Sequence, residues 1–90
     1  MTSEQADQLV ASIRARFLGD VEAEPDEDNR NRYQFWVFSP QFAGMSHLER
    51  QDELWKIVEQ VLPREEQLDV AMIWTFAPGE IDEFIRGVSA

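Results

Sequence analysis

A chain of 90 residues makes one domain, and its formal net charge of −10 sets it against polyanions, because nucleic-acid binding rests on Lys and Arg neutralising phosphates and Lys56 is the one lysine. The absence of Cys excludes disulfides, thiolate metal ligands and thiol nucleophiles from this chain. With 43% hydrophobic and 11% aromatic residues the chain can fill a core, yet no apolar run approaches the ~20 residues of a membrane span and no charged-then-apolar leader opens it, so a cytoplasmic protein is expected.

The first helix follows from Ala6, Leu9, Val10, Ile13 and Phe17 at helical spacing, with Thr2 and Gln5 placed for a capping box and Gly19 placed to stop it. Asp20-Val-Glu-Ala-Glu24 alternates, as in a short edge strand with Val21 and Ala23 inward. A polar connector, Pro25 to Asn31, leads to Tyr33–Phe38, which is apolar on nearly every residue and reads as a central strand. The two strands make an antiparallel hairpin, and Pro40 ends the second because it offers no N–H to the ladder.

Ser46 and Glu49 have the spacing of a second capping box, and Leu48, Leu54, Trp55, Val58, Val61 and Leu62 form the expected buried stripe of the second helix, with Gln51 on it or at its edge. Pro63 stops this helix, and an acidic turn over Arg64-Glu65-Glu66 precedes a strand expected from Leu68 to Phe76. Alternation there puts Leu68, Val70, Met72, Trp74 and Phe76 on one face and Asp69, Ala71, Ile73 and Thr75 on the other. A last helix is expected from Pro78-Gly79-Glu80, with Ile81, Phe84 and Ile85 inward and Gly87 beyond its end. The order is α-β-β-α-β-α. A strand–helix–strand unit makes the third strand parallel to the second, which predicts an α+β domain with a mixed three-stranded sheet covered by helices, over residues 1–90.

This order resembles the BolA-like family, whose pattern runs strand, Ser, two variable residues, Phe, one residue, Gly, then a helix with a Glu/Arg pair and an aromatic. Val37-Phe38-Ser39, Phe42, Gly44-Met45-Ser46, Glu49-Arg50 and Trp55 fall on those places, and Met72 to Glu80 matches a strand followed by a Thr-Pro-x-Glu-like turn. The likeness covers roughly residues 9 to 86, and its central block is the specific part. The resemblance implies a fold like a type II KH domain. It also implies partnership with a monothiol glutaredoxin around a shared or transferred iron–sulfur cluster, ligated by a His opening the third strand and a His or Cys between the first two. Here Asp69 holds the place of that His, residues 25–32 contain neither His nor Cys, and the usual Arg-His-Arg of the second helix reads Arg50-Gln51-Asp52. A lone carboxylate suits harder ions than an iron–sulfur cluster, so the resemblance bears on fold more than on function.

His47, the one His, has no companion imidazole or thiolate and reads as a surface residue of the second helix. Asp26-Glu27-Asp28 lacks the spacing and the glycine of an EF-hand loop and reads as a solvated loop. Ser39 lacks a base and an orienting carboxylate and reads as a turn residue before Pro40. Both faces of the second and third strands carry large apolar groups, so a patch left uncovered would mark a partner site or a homodimer interface, with Trp36 and Trp74 its expected members. The expectation is thus a non-enzymatic interaction module holding no cofactor by itself. Its candidate contact residues are Ser39, Phe42, Gly44, Met45, Arg50, Asp69, Trp36 and Trp74. The alternative is a KH-like nucleic-acid binder, against which stand the charge and the absence of a basic Gly-x-x-Gly loop.

Overall fold

A computed structural model of the chain describes residues 1–82. In order they form α1 (Ser3–Arg16), β1 (Asp20–Pro25), β2 (Tyr33–Phe38), a 3-10 turn over Pro40–Gly44, α2 (His47–Val61), the single-turn helix α3 (Arg64–Gln67) and β3 (Val70–Phe76). The sheet runs β1-β2-β3, with β1 antiparallel and β3 parallel to the central β2, which makes it mixed. The expected last helix falls largely outside the described residues.

Both capping boxes form: Thr2 with Gln5 at α1, and Ser46 with Glu49 at α2. Each satisfies two backbone N–H groups that a helix start leaves without partners. Between α1 and β1 the chain turns at Gly19, with φ of 127°. A Cβ there would lie 1.8 Å from the Phe38 carbonyl oxygen, so the glycine is required both by its backbone conformation and by the close approach of β2. The hairpin loop is closed by Asp26 N–H donating to Arg32 O at 2.8 Å.

α1 and α2 pack on the sheet face bearing Val21, Phe35, Val37 and Ile73, and one continuous core results. Leu9, Ile13, Phe35, Phe42, Leu54 and Val58 are fully buried within it. Phe17 and Phe42 meet at 4.9 Å between ring centres and close the core where α1 ends and the 3-10 turn begins. Full burial of a side chain such as Phe35 stabilises the fold by about 3 kcal/mol, so a handful of such residues dominates a domain this small.

Three details of the sequence reading are corrected. Leu48 is 72% exposed, because the buried stripe of α2 runs through Arg50, Leu54, Ile57 and Val58, and Leu48 sits off that phase in the first turn. Leu68 is 78% exposed, because β3 starts at Val70; Leu68 and Asp69 belong to the turn that closes α3 through Asp69 N–H and Glu66 O. The alternation of β3 is also interrupted. Tyr33 pairs with Val70 and Gln34 with Met72, so Ala71 has no opposite residue. This extra residue turns Val70 to the covered face beside Ile73 and Thr75, and leaves Met72, Trp74 and Phe76 on the other face.

Candidate functional site

The expected site residues fall into three places. Ser39, Phe42 and Arg50 form a buried knot where β2 leaves the sheet. Ser39 caps the 3-10 turn, its hydroxyl accepting from Gln41 N–H at 3.2 Å, while its own N–H donates to Phe76 O at 3.0 Å. Arg50 is 3% exposed and spends its donors inside the chain. Its Nε donates to Met45 O and its Nη2 to Phe42 O, at 3.2 and 2.6 Å. The two Nη atoms grip Glu80 at 2.7 and 2.9 Å. Glu80 in turn accepts from Ala77 N–H at 2.8 Å. Hydrogen bonding from Arg50, then from the Ala77 N–H, lowers the Glu80 carboxyl from its ordinary 4.5 to about 2. This clamp ties the 3-10 turn and the start of α2 to the exit of β3. With its donors committed, Arg50 sets loop geometry rather than offering a charge to a partner. Gly44 is exposed and Met45 half-buried at the rim of the knot.

Asp69 lies elsewhere. It precedes β3, beside Tyr33, whose N–H donates to Asp69 O at 2.8 Å, whereas Ser39 follows the other end of β2 and its N–H donates to Phe76 O at the other end of β3. A strand of this length spans ~17 Å, so Asp69 and the Ser39–Met45 loop do not share one patch. The Asp69 carboxylate receives the N-terminal ammonium of Met1, whose side chain is buried in the core.

Gln51, on the flank of α2, is half-buried and fully employed. Its amide nitrogen donates to Ile73 O at 2.9 Å, and its amide oxygen accepts from Trp55 Nε1 at 3.2 Å. It stitches α2 to β3, one of the two edge strands of the sheet. Together with Gln51, His47 and the β3 stretch from Met72 to Phe76 line a cleft of about 300 Å³.

The third place is the sheet face opposite α1 and α2, and the strand register sets its composition. Glu22 stands across from Trp36 and Trp36 across from Trp74; Asp20, Phe38 and Phe76 form the next row; Glu24, Gln34 and Met72 the third. The rings stack across the strands: Trp36 on Trp74 at 5.3 Å and 16°, Trp36 on Phe76 at 6.2 Å and 8°, Phe38 on Phe76 at 5.5 Å and 19°. Trp74 Nε1 donates to Gln34 Oε1 at 3.3 Å. Met72 is 46% exposed, Trp36 and Phe38 are half-buried, and Asp20, Glu22 and Glu24 are exposed. Where Phe38 and Phe76 end the face, an apolar cavity of about 190 Å³ opens between Gly19–Asp20 and Pro78–Gly79. Trp36 and Trp74, two expected members, therefore meet on one surface, to which the register adds Phe38, Met72 and the acidic column of β1. The i+2 spacing from Trp36 and Trp74 points to Phe38 and Met72, but only the pairing places the acids beside them.

Among the described residues no group of three or more His, Asp or Glu side chains is arranged to hold a metal ion, and no helix is long and apolar enough to cross a membrane. No protein-family model matches the chain, and no curated protein and no solved structure matches it.

Proposed function

We propose that the protein is a non-enzymatic, BolA-like protein–protein interaction module of the cytoplasm, with a monothiol glutaredoxin as its partner class. The observation that carries the interaction reading is the aromatic sheet face, where Trp36, Phe38 and Met72 keep accessible apolar surface beside a stacked ladder of rings. Apolar aromatic surface of this kind supplies the anchors of protein interfaces. Apart from the single-turn α3, the α-β-β-α-β order and the mixed sheet agree with the resemblance that suggests the partner class.

The residues present do not fit an iron–sulfur cluster. Asp69, standing where the family carries its ligand His, is a hard oxygen donor already engaged by the N-terminal ammonium, and no thiolate exists to accompany it. The proposed contact is therefore made without ligation by this chain.

Gel filtration with a purified monothiol glutaredoxin tests the reading. Wild-type protein is expected to co-elute with it and Trp36→Ala to elute apart, with circular dichroism confirming that the variant is folded. Failure of the wild type to associate removes the glutaredoxin class. A cluster spectrum that shifts only when both proteins, iron and sulfide are combined removes the claim that this chain does not ligate.

A further inference from the structure

We infer that the aromatic sheet face receives a basic segment of its partner, an extended stretch with Arg or Lys at alternate positions. This rests on that face being the contact surface, and adds the chemistry of what lies on it.

The three cross-strand rows place a carboxylate of β1 at one end and a large apolar side chain of β3 at the other, and none of the nine residues is basic. In the middle row Glu22 is directly opposite Trp36, and opposed side chains in an antiparallel pair have Cβ atoms about 5 Å apart. A guanidinium laid between them pairs with the carboxylate while resting against the indole, so one group satisfies both the ion pair and the cation–π contact. Asp20, Glu22 and Glu24 repeat every second residue, at about 7 Å, which is also the same-face repeat of an extended partner segment. A basic residue at each alternate position therefore meets one carboxylate after another without a change of register. On this face Met72 is exposed, Trp36, Phe38 and Trp74 are half-buried, and Phe76 is buried.

Charge also decides against other occupants. A second copy of this chain would bring its own acidic column and its own net −10 to the same surface. Nucleic acid and anionic lipid are repelled for the same reason. Exposed carboxylates on an edge strand do discourage strand-to-strand association, and that role alone predicts no gain in binding for a cationic peptide.

The experiment is a titration of tryptophan fluorescence in the full chain with three blocked peptides: Arg-Val-Arg-Val-Arg, Gln-Val-Gln-Val-Gln and Glu-Val-Glu-Val-Glu. The expected result is saturable binding of the arginine peptide only, weakened about tenfold between about 0.05 M and 0.5 M salt. Glu22→Gln with Glu24→Gln, both at exposed positions, should weaken it about tenfold while leaving the fold unchanged. Equal binding of the arginine and glutamine peptides overturns the basic-segment inference and leaves the interaction reading standing. Absence of binding by all three overturns the inference, and when Trp36→Ala also leaves glutaredoxin co-elution unaltered the sheet face loses its role entirely. Concentration-dependent dimerisation lost in Trp36→Ala overturns it in favour of a second copy.

Discussion

The two faces of the three-stranded sheet are built from alternate residues of the same strands, yet they do different things. On one, Phe35 and Val37 lie under α1 and α2 with no solvent contact to speak of, and their contribution is transfer of apolar surface out of water. On the other, Trp36 and Phe38 are flanked by Glu22 and Asp20 and keep part of their surface in water. Every residue of β2 is large, and five of its six are aromatic or aliphatic, so hydrophobicity along the strand does not tell the faces apart. What separates them is the neighbour across the strand. Between β1 and β2 the covered face sets Val21 against Val37 and Ala23 against Phe35, while the other face sets Glu22 against Trp36 and Asp20 against Phe38. Stability should therefore reside on the first and recognition on the second.

The largest expected effect is that of Phe35→Ala, a loss of about 4 kcal/mol in urea unfolding, since the fully buried ring leaves a cavity. A loss under about 1 kcal/mol would break the contrast, because it would make the covered face no more important than the open one. Next is Arg50→Met, which leaves Phe42 O and Glu80 without their strongest donor. About 2 kcal/mol is expected, discounted because the Glu80 side chain keeps about a third of its surface in water. Nearly unchanged stability would mean that the clamp does not hold the loop.

The acid limb of the stability profile follows from the same pair. The carboxyl of Glu80 is lowered by Arg50 and the Ala77 N–H to about 2 in the fold, against an ordinary 4.5. Its contribution is present above pH 4.5 and drains away as pH falls toward about 2. Thermal midpoints measured across that window should fall more steeply for the wild type than for Glu80→Gln; parallel curves would assign the acid sensitivity to other carboxylates. Smallest in stability is Trp36→Ala, at about 1 kcal/mol, although the same change is expected to abolish partner binding. A cost as large as that of Phe35→Ala would show both faces to be core, and would remove the division of labour altogether.

Much of this was legible in the residues. The S-x-x-E box at Ser46 and Glu49, the stop at Pro63 and the strand over Tyr33–Phe38 are local signals, each satisfied within a few positions, and the structure places them as expected. The errors arose where local alternation met a tertiary constraint. Val70 turns inward because Ala71 is an unpaired residue in the ladder, and no property of Ala71 announces it. The burial of Arg50 on α2 is not visible along the chain, because its partner Glu80 is 30 residues away. The resemblance groups Asp69 with the Ser39–Met45 loop, whereas parallel pairing of β2 and β3 puts them at opposite ends of the sheet.

By itself the sequence determined the elements, their order and the α+β class, because capping, helical period and strand alternation act between residues close along the chain. It also determined the net charge of −10. Only the tertiary structure decided which residues share a surface. It brought Glu22 beside Trp36, turned Met72 outward, and closed Arg50 into the interior. The reason is that register and burial are set by contacts between segments far apart in the chain, where a shift of one residue moves every side chain to the other face.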